Sequence, residues 1–210
     1  MSAPLFPLKA LDVSEYQGRI DWHKVRRAGY RHAFIKASEG TSEVDRCLVA
    51  NVRGARRAGL QIGLYHYAHP SQSPRDNARH FLRYASELVK VGDIAPLLDL
   101  EVTEGLDMYE LWRWQHRWCE IVGEAFATVP MLYSYRYFLE AYIWFPHKHR
   151  PIAGADYGRP PAETLAGWHV WQYTSAGRVP GIAGDVDLDL IRKPLPTVHR
   201  SAARSKSWWR

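Results

Sequence analysis

Asp99 and Glu101 stand two positions apart at the end of the apolar run Ile94-Ala95-Pro96-Leu97-Leu98. On a strand, side chains at i and i+2 share a face, so the two carboxylates would project together with Cα atoms about 6.5–7 Å apart. Crowded carboxyl groups do not ionise independently: one keeps its proton toward neutrality while another stays charged. Hydrolysis of a glycosidic bond needs both, a proton for the leaving oxygen and negative charge for an oxocarbenium-like transition state. Taken alone, the pair also fits a solvated strand end, and the rest of the chain has to decide.

Further motifs occur in a fixed order. Leu11-Asp12-Val13-Ser14-Glu15-Tyr16-Gln17-Gly18 precedes Ile20-Asp21-Trp22; then come Phe34-Ile35-Lys36-Ala37-Ser38-Glu39-Gly40, Gly63-Leu64-Tyr65-His66-Tyr67, Trp171-Gln172-Tyr173 and Asp185-Val186-Asp187-Leu188-Asp189. In this order and spacing the chain resembles the family 25 glycoside hydrolases, the Chalaropsis-type lysozymes or N-acetylmuramidases, over about residues 9–191. The resemblance implies hydrolysis of the β-1,4 bond between N-acetylmuramic acid and N-acetylglucosamine in peptidoglycan, with no cofactor and net retention. By motif match, Glu101 is the general acid, and Asp99 the charge stabiliser or the residue orienting the substrate's 2-acetamido group. Asp12 and Asp187 match the family's other site acids. Tyr67, Tyr133, Trp171, Gln172 and Glu39 are carried over as substrate contacts, although a Glu-Gly turn also explains Glu39. One departure is Pro151-Ile152-Ala153-Gly154-Ala155-Asp156-Tyr157, where family members commonly carry a Trp-x-Ala-x-Tyr type segment.

The elements that must hold these residues alternate. Strands are expected over 8–13, 32–37, 61–67, 95–101 and 131–134, separated by helices over 21–28, 45–58, 74–89 and 106–127. Asp21 and Ser73 are candidate N-caps, Pro74 a first-turn proline, and Gly29 and Gly59 helix stops. In the long helix, Trp112, Trp118 and Ile121 fall at helical spacing and read as core. After Tyr142, strands over 152–155, 168–173 and 185–190 follow without long helices. The expected fold is an irregular TIM-like β/α barrel of five βα units followed by bare strands, which is also what the resemblance implies. Such barrels put their chemistry at the C-terminal strand ends, at or near which Asp12, Glu39, Tyr67, Asp99, Glu101, Tyr133, Gln172 and Asp187 fall.

Composition bounds the rest. The chain has 210 residues, 46% hydrophobic and 13% aromatic, enough for one large core. Its net charge of +6 comes from 28 basic against 22 acidic residues. Six of the basic residues (Arg192, Lys193, Arg200, Arg204, Lys206, Arg210) lie after Ile191, so residues 1–191 balance and offer no footprint for nucleic acid. Residues 1–191 are read as a single, monomeric catalytic domain and 192–210 as a flexible basic tail. Beside Trp208-Trp209, that positive excess suits an anionic wall polymer or membrane surface.

Cys47 and Cys119 read as buried helix thiols. His66 reads as a hydrogen-bonded wall residue, and His69, His147 and His149 as surface residues, none with a partner at metal-ligand spacing. The start lacks signal-peptide character and no run spans a membrane, an arrangement that fits a phage endolysin, acting from the host cytoplasm on the wall. Two competing readings are a chitinase-like hydrolase on the same barrel, whose strand-four motif would carry further acids, and a catalytically dead glycan-binding barrel, which would lack one of the four.

Overall fold

A computed structural model describes residues 7–143, 150–157 and 168–202. Nine strands, β1 (Leu8–Val13), β2 (His32–Glu39), β3 (Glu43–Val44), β4 (Gln61–Tyr67), β5 (Leu97–Asp99), β6 (Met131–Tyr135), β7 (Ile152–Ala155), β8 (Trp168–Gly177) and β9 (Val186–Ile191), form one sheet. Their order is β1-β9-β8-β7-β6-β5-β4-β2-β3, and β1 also pairs with β2. That last pairing closes an eight-stranded barrel and leaves the two-residue β3 outside it. Neighbours around the barrel are parallel except β9, which runs antiparallel to both β1 and β8. A parallel connection needs a crossover of about a dozen residues or more. The segment 178–185 is too short for one, so the chain turns straight back.

Helices α1 (Trp22–Arg27), α2 (Leu48–Arg57), α3 (Pro74–Leu88) and α4 (Met108–Phe126) cover the first half of the barrel, and the single turn α5 (Arg136–Phe138) follows β6. Their starts are set by side chains. Asp21 accepts the Lys24 N–H at 3.1 Å, Ser73 accepts that of Asp76 at 3.3 Å, and Asp107 and Glu110 form a reciprocal capping box at 2.8 and 2.9 Å. Gly29 and Gly59, at φ +99° and +80°, stop α1 and α2.

Strand alternation divides the apolar residues into two cores. Ala10, Phe34, Leu97, Met131, Val170 and Ile191 face inward and fill the lower barrel. Their neighbours Leu11, Ile35, Leu98 and Leu132 face outward, against helix residues such as Val52, Phe81, Trp118 and Phe126. Trp118 and Ile121 are buried as expected, whereas Trp112 is half-buried.

Four expectations need correcting. β5 ends at Asp99, not at residue 101: the Leu100 N–H gives the last bond of the β5–β6 ladder, to the Tyr133 carbonyl at 3.0 Å, and Glu101 lies beyond it. Cys47 is the half-buried N-cap of α2, while Cys119 is buried in α4. His69 is not a surface residue, as the site geometry shows. Residues 192–202 are not a tail: Thr197 bridges Ile94, Val198 exchanges backbone hydrogen bonds with Gly92 and Asp93 at 2.9 Å each, and Val198 is 1% exposed. The domain extends to residue 202, since these groups pair with the lower barrel instead of water. His147, His149, Arg204, Lys206, Trp208, Trp209 and Arg210 lie outside the described residues. Among the described residues no helix is long and apolar enough to cross a membrane.

Candidate active site

The inward positions above the apolar plug are polar, and register fixes which of them meet. Asp12 at the end of β1 pairs with Asp187 on β9, and Gln172 on β8 pairs with Asp189. Tyr67 on β4 pairs with Asp99, and Asp99 with Tyr133 on β6. Asp187 belongs to the same mouth because β9 is antiparallel: the start of that strand lies where the parallel strands end. Asp12, Tyr65, Asp99, Glu101, Tyr133, Gln172, Asp187 and Asp189 line a pocket of about 100 Å³ floored by Phe34, Leu97, Ala153 and Val170.

The polar groups are cross-linked. Gln172 donates to Asp12 Oδ2 at 2.7 Å and accepts from the hydroxyls of Tyr133 at 2.8 Å and Tyr157 at 2.9 Å. Asp12 and Asp187 face one another in register, and Asp99 and Glu101 line the same pocket. Carboxyl groups so placed do not ionise independently. Burial raises Asp12, Asp99 and Asp189 well above the usual carboxylate range, with neighbouring carboxylates adding to it; burial also raises Glu101 and Asp187. Lys36 pulls both Asp99 and Glu101 back down.

Asp99 is the deeper member of its pair at 7% exposed, and its Oδ1 is buried without a hydrogen-bond partner from the described residues. For both members of the pair, burial is the largest cause of the upward shift.

Other sequence candidates are distributed unevenly. Tyr133 and Gln172 are in the pocket, and Tyr67 borders it, its phenol raised by burial and then by Glu101 and Asp99. Trp171 is not brought there: beside inward Gln172 it faces the outer core, donating its Nε1–H to the Asp156 carbonyl at 2.8 Å. Glu39 spends both oxygens on Lys36 at 2.6 Å and His69 at 2.9 Å. Tyr65 and Asp189 escaped notice although each lies two positions from a named candidate, the spacing of a shared strand face; Lys36, three positions before Glu39, escaped it as well. Tyr157 supplies a ring that the altered 151–157 segment seemed to lack. His66 is the expected wall residue, fully buried between Ser38 Oγ at 2.9 Å and Asn77 Oδ1 at 3.0 Å, and burial lowers it to about 3. Among the described residues no His, Cys, Asp and Glu side chains are grouped to hold a metal ion.

The uncharacterized protein YegX of Escherichia coli strain K12 is 34% identical over 193 residues, 89% of this chain and 70% of that protein. An autolytic lysozyme of Clostridium acetobutylicum is 30% identical over 182 residues, 87% of this chain and 55% of that protein. The bacterial lysozyme of Streptomyces coelicolor superposes with a TM-score of 0.82 at 27% identity, covering 90% of this chain and 94% of that one. The profile of Glycosyl hydrolases family 25 matches residues 11–182, and the chain belongs to that family of lysozyme-type glycoside hydrolases.

Proposed function

We propose that this peptidoglycan hydrolase cuts the β-1,4 bond between N-acetylmuramic acid and N-acetylglucosamine, with the Asp99–Glu101 pair supplying both the proton and the negative charge. The observation that carries this reading is the pair itself, two carboxyl groups lining one acidic pocket and both raised by burial. Glu101, the less buried member and outside the strand, is the one positioned for a leaving oxygen. A 2-acetamido N–H hydrogen-bonded to the Asp99 carboxylate favours the charged form of Asp99 and leaves the proton to Glu101. Glu101 then protonates the leaving oxygen, the acetamido oxygen attacks the anomeric carbon, and Asp99 steadies the positive ring so formed. Water, deprotonated by Glu101, opens it with overall retention. Asp12, Asp187 and Gln172 form the opposite wall, keeping negative charge near the reacting sugar.

Glu101→Gln keeps size and hydrogen bonding but cannot release a proton; turnover should fall about 10²- to 10⁴-fold with the fold intact. Products of the unmodified enzyme, observed by NMR before mutarotation, should carry muramic-acid reducing ends in the β configuration. Wild-type-like lysis by folded Glu101→Gln would remove Glu101 from the role of acid, and an initial α anomer would require direct attack by water instead of the acetamido group.

A further inference from the structure

His69 lies two residues beyond the end of β4, with Nδ1 2.6 Å from Glu104 Oε1 and Nε2 2.9 Å from Glu39 Oε1. Carboxylates only accept, and a neutral imidazole has one N–H to give, so both bonds form only when the ring carries both protons. The two carboxylates are themselves anchored. Glu39 Oε2 takes the Lys36 ammonium at 2.6 Å, and Glu104 Oε2 takes the Ser71 N–H at 2.8 Å and hydroxyl at 2.6 Å. The line Lys36–Glu39–His69–Glu104–Ser71 thus ties β2 and the segment after β4 to the loop between β5 and α4. The side chains of His69, Glu39 and Glu104 are 30%, 30% and 25% exposed, more sheltered than a free surface pair.

That loop carries Glu101. Glu104, three residues further on, sits at φ +46°, a left-handed conformation costly for a residue with a side chain. Surrounding structure must impose it, and the bonds to its carboxylate do so. On the loop's other side, the Tyr135 hydroxyl donates to the Glu101 carbonyl at 2.9 Å. His69 also packs edge-on against Tyr67 with ring centroids 5.6 Å apart, and Tyr67 in turn feels the Glu101 charge.

We propose that His69 is a positioning residue for the reaction: as an imidazolium it clamps the Glu101 loop to the barrel rim, and deprotonation releases that loop. The proposal rests on Glu101 being the acid. The charged groups facing the ring are Glu39 from β2, with Lys36 beyond it, and Glu104 from the loop; Tyr67 meets it from β4, and Asn77 Oδ1 from α3 accepts its backbone N–H at 3.5 Å. Burial disfavours the cation, but the two carboxylates outweigh it and hold the ring's pKa above its ordinary value. With a raised folded pKa, the clamp is complete below the unfolded value of about 6.5 and is lost as pH rises through the folded value.

The test combines NMR titration of His69 in the full chain with kcat and KM on soluble glycan fragments across pH. Wild-type His69 should titrate above 6.5, and Glu104→Gln should bring it down. His69→Gln, which keeps a single donor and no charge, should lower kcat about tenfold at pH 6 while KM changes much less, because the opposite wall is untouched. His69→Arg, a permanent cation able to span two carboxylates, should restore kcat and hold it at alkaline pH where the wild type declines. Unchanged kcat in His69→Gln, failure of His69→Arg to restore it, or a wild-type titration at or below 6.5 would each overturn the clamp. A wild type inactive on every glycan would instead remove the reading of Glu101, and the Glu104→Gln titration shift would still decide whether the bridge exists.

Discussion

At the scale of single residues, the site concentrates acids that the fold would be more stable without. Asp189 is the sharpest case: 3% exposed inside the barrel, with Oδ2 unpartnered and its carboxyl raised well above the usual range by burial and then by Asp187. Its folded form holds a proton that the unfolded chain gives up above about pH 4, so the native state is penalised progressively as pH rises from there toward the folded pKa. Asp189→Asn keeps the shape and removes the ionisation. It should raise Tm at pH 7, by about 2–4 °C for each kcal/mol gained in a chain of this size, with the gain vanishing near pH 4. Melts that favour the variant equally at both pH values would show that hydrogen bonding, not ionisation, governs the position. Asp12, Asp99 and Asp187 were legible because strand alternation and motif order need no tertiary knowledge; Glu101, beyond its strand, was legible from motif order alone. His69 was not, since its partners come from positions 30 residues before it and 35 after, through loops whose path no periodicity records.

At the scale of elements, the helical coat depends on how closely α1 meets α2. A Cβ built on Gly54 in α2 would come 2.3 Å from Trp22 Cδ1 in α1, so the absence of a side chain there seats the indole ring. In an exposed helix, Gly→Ala gains about 1 kcal/mol of propensity. Here a rigid ring must move, and overpacking costs about 1–3 kcal/mol, so the clash wins. Gly54→Ala should therefore lower Tm by several degrees while leaving turnover on soluble fragments unchanged, because α1 and α2 stand outside the pocket. A higher Tm would mean the indole has room to shift. Helix positions were readable to within a few residues, since Asp21, Ser73-Pro74, Gly29 and Gly59 mark them chemically. The end of β5 was not: the run through Leu100 stays apolar, and where its pairing stops depends on β6, an element reached only through the intervening α4.

At the scale of the whole molecule, the two ends of the barrel do different work, and the C-terminal segment serves the end away from the chemistry. Residues 194–202 run along the lower side, where Leu195 packs beside the inner core, Val198 and Ala202 are buried, and the backbone of Pro196, Thr197 and Val198 pairs with the segment leading into β5. Composition alone read this stretch as tail, because its burial is achieved with two aliphatic side chains and backbone hydrogen bonds instead of an amphipathic run. Burying Val198 contributes about 1.5–3 kcal/mol and each backbone bond about 0.5–1.5, a large share of a total stability of about 5–15 kcal/mol. Removing residues 194–210 should therefore leave a chain that melts far lower or fails to fold, with fragment hydrolysis lost as a consequence. Removing only 203–210 should leave Tm and fragment hydrolysis intact while taking away Arg204, Lys206 and Arg210, half of the basic excess after Ile191. Each of these charges near an anionic wall polymer contributes up to about 1 kcal/mol, screened over about 8–10 Å. Lysis of intact walls by the shorter form should then fall at low salt and converge on that of the full chain as salt rises. Equal lysis at every ionic strength would deny the last eight residues any part in wall attraction, and a drop in Tm on removing them would move the domain's edge beyond residue 202.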